Sequence, residues 1–83
     1  MFIAEIDIML LKDLLDPAGK AVLGGLEKLD IKGVKDVRIG KHIRLFFPDS
    51  TREEAEKSAQ DAVKKLLANQ VMEYAEIRIV QED

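Results

Sequence analysis

The sequence predicts one α+β domain over residues 1–83, a two-layer sandwich of helices on a mixed or antiparallel sheet. Three observations carry this expectation. Apolar residues recur at period two near both ends of the chain. Two segments with helix-start chemistry lie between them. A middle segment, residues 34–47, again alternates apolar with polar side chains.

The first strand is expected over residues 2–12. Phe2, Ala4, Ile6, Ile8 and Leu10 fall on one face, Glu5 and Asp7 on the other. Asp16-Pro17 then opens a helix. Asp is a favoured N-cap, and Pro suits the first helical position because that amide has no intrahelical partner. Ala18, Ala21, Val22, Leu26 and Leu29 follow at helical spacing. Gly19, Gly24 and Gly25 are poor helix formers, so something is expected to pack close to this helix. Asp30-Ile31-Lys32-Gly33 ends it.

Residues 34–47 admit two readings, one long strand bent at Gly40 or a hairpin. In a two-residue Gly40-Lys41 turn, Val37 and Ile39 would face away from Ile43, Leu45 and Phe47. All five are odd-numbered, while Asp36, Arg38, His42 and Arg44 are even and polar. Side-chain parity therefore favours the single strand, although a three-residue loop over Gly40–His42 would also keep the faces. Ser50 with Glu53, or Thr51 with Glu54, has capping-box spacing and starts the second helix. Its buried stripe is expected at Ala55, Ala59, Ala62, Val63 and Leu66. Asn69 is expected as a left-handed residue after the helix. A last strand is expected over residues 71–80, with Val71, Ala75, Ile77 and Ile79 on one face. The order is β-α-β(-β)-α-β, ferredoxin-like in outline.

Composition narrows the function classes. Thirteen basic and sixteen acidic residues give a net charge of −3, with 35% of residues charged and no cysteine. Disulfides and thiolate metal sites are excluded. A chain this short hides only about 60% of its unfolded surface, and burying a face against a second copy is a common remedy. No apolar run nears the ~20 residues of a membrane helix. Glu5 and Asp7 interrupt the apolar start, so no signal peptide and a cytoplasmic address are expected.

The residues offer little chemistry. There are one histidine and two serines, Ser50 taken by the cap reading and Ser58 within a helix, and no nucleophile elbow or phosphate-cradling loop. No catalytic residue and no metal ligand is expected. His42 reads as an exposed surface residue, because no second histidine or cysteine could share a metal with it. Asp13 and Asp16 could form an acid–base pair, but capping accounts for Asp16. Arg38, Lys41, His42 and Arg44 form a basic stripe. It could be a phosphate track, a solvated face or a protein interface. The acidic chain and the lack of stacking aromatics argue against nucleic acid.

Three segments resemble a known family. Leu15-Asp16-Pro17-Ala18-Gly19-Lys20-Ala21-Val22, Val37-Arg38-Ile39-Gly40-Lys41 and Leu66-Leu67-Ala68-Asn69-Gln70-Val71-Met72-Glu73 are similar, in order and spacing, to segments of the PurS family. That family supplies the small subunit of phosphoribosylformylglycinamidine synthase. The resemblance implies a non-catalytic subunit in de novo purine biosynthesis. It would bridge an ATP-dependent synthetase subunit and a glutaminase subunit so that ammonia can pass between them. It implies no cofactor on this chain, with ATP and Mg used by the synthetase, and self-association to a dimer or tetramer. Neither nucleic acid nor membrane is an expected partner. On the motif residues, Asp16, Pro17, Gly19, Gly40 and Asn69 are expected to shape the backbone. Arg38, Lys41 and Glu73 of the motifs, with His42 and Arg44 of the basic stripe, are the candidates for partner contact. The alternative is a small-molecule regulatory module of ferredoxin-like or ACT-like type, which Gly24-Gly25 and the basic stripe would serve.

Overall fold

Phe2–Leu10 form the central strand, β1, of a three-stranded antiparallel sheet. The computed structural model describes all 83 residues, Met1–Asp83. After β1 come α1 (Pro17–Lys28), β2 (Lys41–Phe47), α2 (Arg52–Ala62), a π-helical turn (Val63–Leu67) and β3 (Glu73–Gln81). The sheet order is β2-β1-β3. The register sets Ile6 opposite Ile43 on one side and opposite Ile77 on the other. Period-two alternation thus brings Ala4, Ile6 and Ile8 to one face, where they meet Ala59 and Val63 from the second helical segment.

The α+β class stands as the sequence predicts, but the two helices do unequal work. α2 packs on β1 and β3, while α1 makes no extended contact with the sheet or with α2. β1 ends at Leu10 and β2 begins at Lys41, which pairs with Ile8. Residues 11–40 therefore leave and return at one end of the sheet, as an arm. The shape reflects this. The radius of gyration is 16.3 Å, against about 12 Å for a compact chain of this length, and the longest dimension is 48 Å. Only 9 of 83 residues are buried, so the chain alone makes a thin core.

Several expectations need correction. The strand of the middle segment is confined to Lys41–Phe47. Residues 34–40 form neither strand nor hairpin, because no strand of this chain lies beside them. Gly24 and Gly25 face open space rather than a packed neighbour. Of the two capping frames, Thr51–Glu54 forms. The Glu54 amide donates to Thr51 Oγ1 (3.1 Å) and the Thr51 amide to Glu54 Oε1 (2.8 Å). These bonds hold the Glu54 carboxyl below its usual range. Leu66, expected in the buried stripe, is exposed because the π turn rotates it outward. Asn69 is not left-handed, since Asp30 is the only non-glycine residue with positive φ. β3 starts at Glu73, leaving Val71 in the turn before it. On the opposite face of β1 from the core, Ile3 is fully buried as well.

Two glycine substitutions separate packing from propensity. A Cβ at Gly19 would run into the Val37 carbonyl, backbone that has little room to give. Gly19→Ala should cost about 1–3 kcal/mol. Gly25→Ala, in open helix, should stabilise by about 0.5–1 kcal/mol. Chemical denaturation of the two variants checks both signs.

Candidate partner-binding site

The base of the arm is built around one carboxylate. Asp16 is the N-cap of α1, and its Oδ1 accepts the Gly19 amide (2.8 Å) as the Asp-Pro start predicts. Its second oxygen, Oδ2, accepts the Ile39 amide (2.8 Å) from the returning limb of the arm. The residue is only 4% exposed. The Ile39 hydrogen bond, then that of Gly19, holds its carboxyl below the ordinary range. The same joint uses Arg38, whose guanidinium donates to the carbonyls of Leu14 (2.7 Å) and Leu11 (2.9 Å). Gly19 is required where the Val37 carbonyl crosses the first helical turn. Gly40 is required where the chain passes the Ile8 carbonyl and Met9 Sδ.

Beside this joint lies an open groove of about 550 Å³. Ile8, Leu10, Pro17 and Ile39 supply its apolar lining, with Lys41 and Glu73 at its polar side. Lys41 Nζ is 3.8 Å from Glu73 Oε2, while Glu73 Oε1 accepts the Asn69 amide (2.7 Å). No buried side-chain nitrogen or oxygen lacks a partner.

The sheet face opposite α2 carries charge. Arg44 Nε donates to Glu5 Oε1 across the β1–β2 pair, and Arg78 lies 3.8 Å from the other Glu5 oxygen. The Arg44 hydrogen bond is the main reason that the Glu5 carboxyl lies below its usual range. His42 Nδ1 is 2.6 Å from Asp7 Oδ1, and Nε2 is 3.4 Å from Glu5 Oε2. Both ring nitrogens can donate only in the imidazolium form. The Asp7 hydrogen bond accordingly raises the His42 pKa above its ordinary 6.5.

The structure thus places the expected contact residues in three environments. Arg38 is committed within the arm joint. Lys41 and Glu73 pair with each other at the polar side of the groove. His42 and Arg44 sit on the open sheet face, neutralised by Glu5 and Asp7. Sequence reasoning missed those two acids as partners of the stripe. Their period-two placement on the polar face of β1 was the available signal, but cross-strand register was not readable. The backbone-shaping residues Asp16, Pro17 and Gly19 meet at the joint, and Asn69 organises the turn before β3.

Comparison with known proteins decides the family. The family model described as "PurS: Phosphoribosylformylglycinamidine (FGAM) synthase" matches residues 3–81. The chain belongs to the PurS family. The phosphoribosylformylglycinamidine synthase subunit PurS of Synechocystis sp. is 41% identical over 69 residues, covering 83% of this chain and 69% of the relative. PurS of Methanocaldococcus jannaschii, described as one of the subunits of formylglycinamide ribonucleotide amidotransferase, superimposes with a TM-score of 0.89. It is 30% identical, and all of both chains is covered. A chain in the structure of PurLQS from Thermotoga maritima gives 0.85 at 30% identity, covering 95% of this chain and 96% of that one. The regulatory-module alternative is not favoured. Its glycine pair adjoins nothing, and these matches run through the whole length of the fold.

The His42 cluster makes a pH prediction. Because its pKa is raised on folding, its stabilising contribution is complete below pH ~6.5 and is lost as pH rises through the folded-state value. The difference in unfolding midpoint between the natural chain and His42→Gln should therefore be largest in mild acid and shrink above neutrality. Urea titrations at a series of pH values check this. For the joint, Asp16→Asn should lower the midpoint and speed hydrogen exchange at the Gly19 and Ile39 amides.

Proposed function

We propose that this chain is the small bridging subunit of phosphoribosylformylglycinamidine synthase, acting in purine biosynthesis. It joins a synthetase subunit to a glutaminase subunit, so that ammonia released at one active site reaches the other. The family match over residues 3–81 carries this reading. The Thermotoga maritima neighbour supports it, since that chain comes from a PurLQS assembly. Ammonia in water at neutral pH is mostly protonated and no longer nucleophilic, so sites that share it must be held in register and shielded.

The geometry fits a positioning role. The charged side chains Glu5, Asp7, His42, Arg44 and Arg78 on the open sheet face are paired with one another, and the chain's few buried residues support a sheet with two open edges and an arm. Such a form favours self-association to a dimer or tetramer. Exposed Val22, Leu29, Ile31 and Ile39 on the arm would gain cover in it. In this reading the chain works in the cytoplasm and binds no cofactor itself, with ATP and Mg belonging to the synthetase. No helix is long and apolar enough to cross a membrane.

Reconstitution tests the proposal. Leaving this chain out of a mixture with the synthetase and glutaminase subunits should lower glutamine-dependent amidine formation about tenfold or more, while ammonium-driven turnover by the synthetase persists. Unchanged glutamine-dependent turnover would refute the bridging role. Sedimentation of the isolated chain should show a dimer or tetramer. A stable monomer at micromolar concentration would contradict the self-association.

A further inference from the structure

Two rows of charge cross the open sheet face side by side. The register brings Arg44, Glu5 and Arg78 together in one row, and His42, Asp7 and Glu76 in the next. Period-two alternation points all six side chains away from α2, which packs on the Ala4, Ile6 and Ile8 face. The first row sets one carboxylate between two guanidinium groups, which stay charged at any physiological pH. The second row sets two carboxylates directly opposite each other, an arrangement that costs stability. His42 is the only group in that row able to become a cation. Its Nδ1 lies 2.6 Å from Asp7 Oδ1 and its Nε2 3.4 Å from Glu5 Oε2. The ring thus touches a carboxylate of each row, and only its protonated form donates at both nitrogens.

This row sits where the sheet gives way to the arm. Lys41 opposite Ile8 is the last pair of the β1–β2 ladder, directly after His42 opposite Asp7. β2 is an edge strand, held by β1 alone. Just before it, the Ile39 amide makes the tie of the arm to Asp16 Oδ2 (2.8 Å). The end of β2 and the arm tie therefore share one short stretch of chain. Strand ends of this kind open locally far more often than the whole fold unfolds, so a contact here acts first on local opening.

We propose that His42 is a proton-operated clasp at the arm end of β2, which as the imidazolium fastens that end to β1 through Asp7 and Glu5. When the ring loses its proton, one nitrogen ceases to donate and the Asp7–Glu76 repulsion goes unanswered. The strand end then opens more often, together with the Ile39 tie. The hydrogen bond to Asp7 favours the charged ring, so the clasp is closed below pH ~6.5 and is released as pH rises through the folded-state value. The arm carries exposed Val22, Leu29 and Ile31. Loosening its base raises the entropic cost of ordering it against whatever covers those residues.

Amide hydrogen exchange on the full chain, followed by NMR from about pH 6 to about pH 8.5, tests the clasp. Each rate is divided by the intrinsic rate of that amide at the same pH. Protection of Ile39 and of the hydrogen-bonded amides within Lys41–Ile43 should fall about two- to fivefold, the range expected of an exposed ion pair. The midpoint should coincide with the His42 titration read from its ring protons, and the β3 amides bonded to β1 should stay unchanged. In His42→Gln, protection should be independent of pH and equal to that of the natural chain at high pH. Glu76→Gln should lower the His42 midpoint and leave the sheet intact. The proposal is overturned if His42 titrates while protection at the β2 end stays flat, or if His42→Gln keeps the same pH dependence. A parallel fall at β3 would also overturn it, since the proton would then act on the whole fold.

Discussion

The Asp16 carboxylate is the constraint on which the arm depends. One oxygen caps α1 at Gly19 and the other receives the Ile39 amide, so a local helix cap also serves as a tie across 23 residues. A buried carboxylate is tolerated when hydrogen bonds replace its hydration, and the positive end of a helix adds to that compensation. Arg38 braces the same joint through two backbone carbonyls, and Gly19 lets the Val37 carbonyl cross at close range. Since α1 has no extended contact with the sheet, these few bonds set the direction in which it projects.

The molecule divides its labour along its length. β1 and α2 carry the core, with Ile6 and Ile8 against Ala59 and Val63. Small residues at positions 55 and 59 let the helix lie close to the sheet. The arm carries apolar side chains that this core cannot reach. On the far sheet face Glu5 and Asp7 of the central strand pair with Arg44, Arg78 and His42 from both neighbours.

This arrangement suits a subunit that positions others. Chemistry that passes ammonia between proteins needs fixed distances more than another reactive group. A tied arm, a sheet with free edges and a turn braced by Asn69 each hold their exposed surfaces in one geometry. Asp16 and Arg38 at the joint, and Glu73 at the turn, hold these segments through hydrogen bonds to the backbone.

Local chemistry was legible in the sequence wherever near neighbours decide it. Period two located β1, the Asp16-Pro17 pair located the start of α1, and Thr51 with Glu54 was one of two written capping frames. Family membership was legible too, through three collinear motifs. Tertiary structure alone decided what those pieces met. The glycines of α1 suggested a close neighbour; only Gly19 has one, because the chain returns past the first turn and not past the middle. Parity placed Val37 and Ile39 in step with Ile43, yet it could not show that the strand stops at Lys41 for want of a neighbour. Leu66 fits a helical stripe at α spacing, and one π turn moves it into solvent. Periodicity reports which side chains can share a face. Pairing, register and burial depend on residues distant in the chain, and these are set when the whole chain packs.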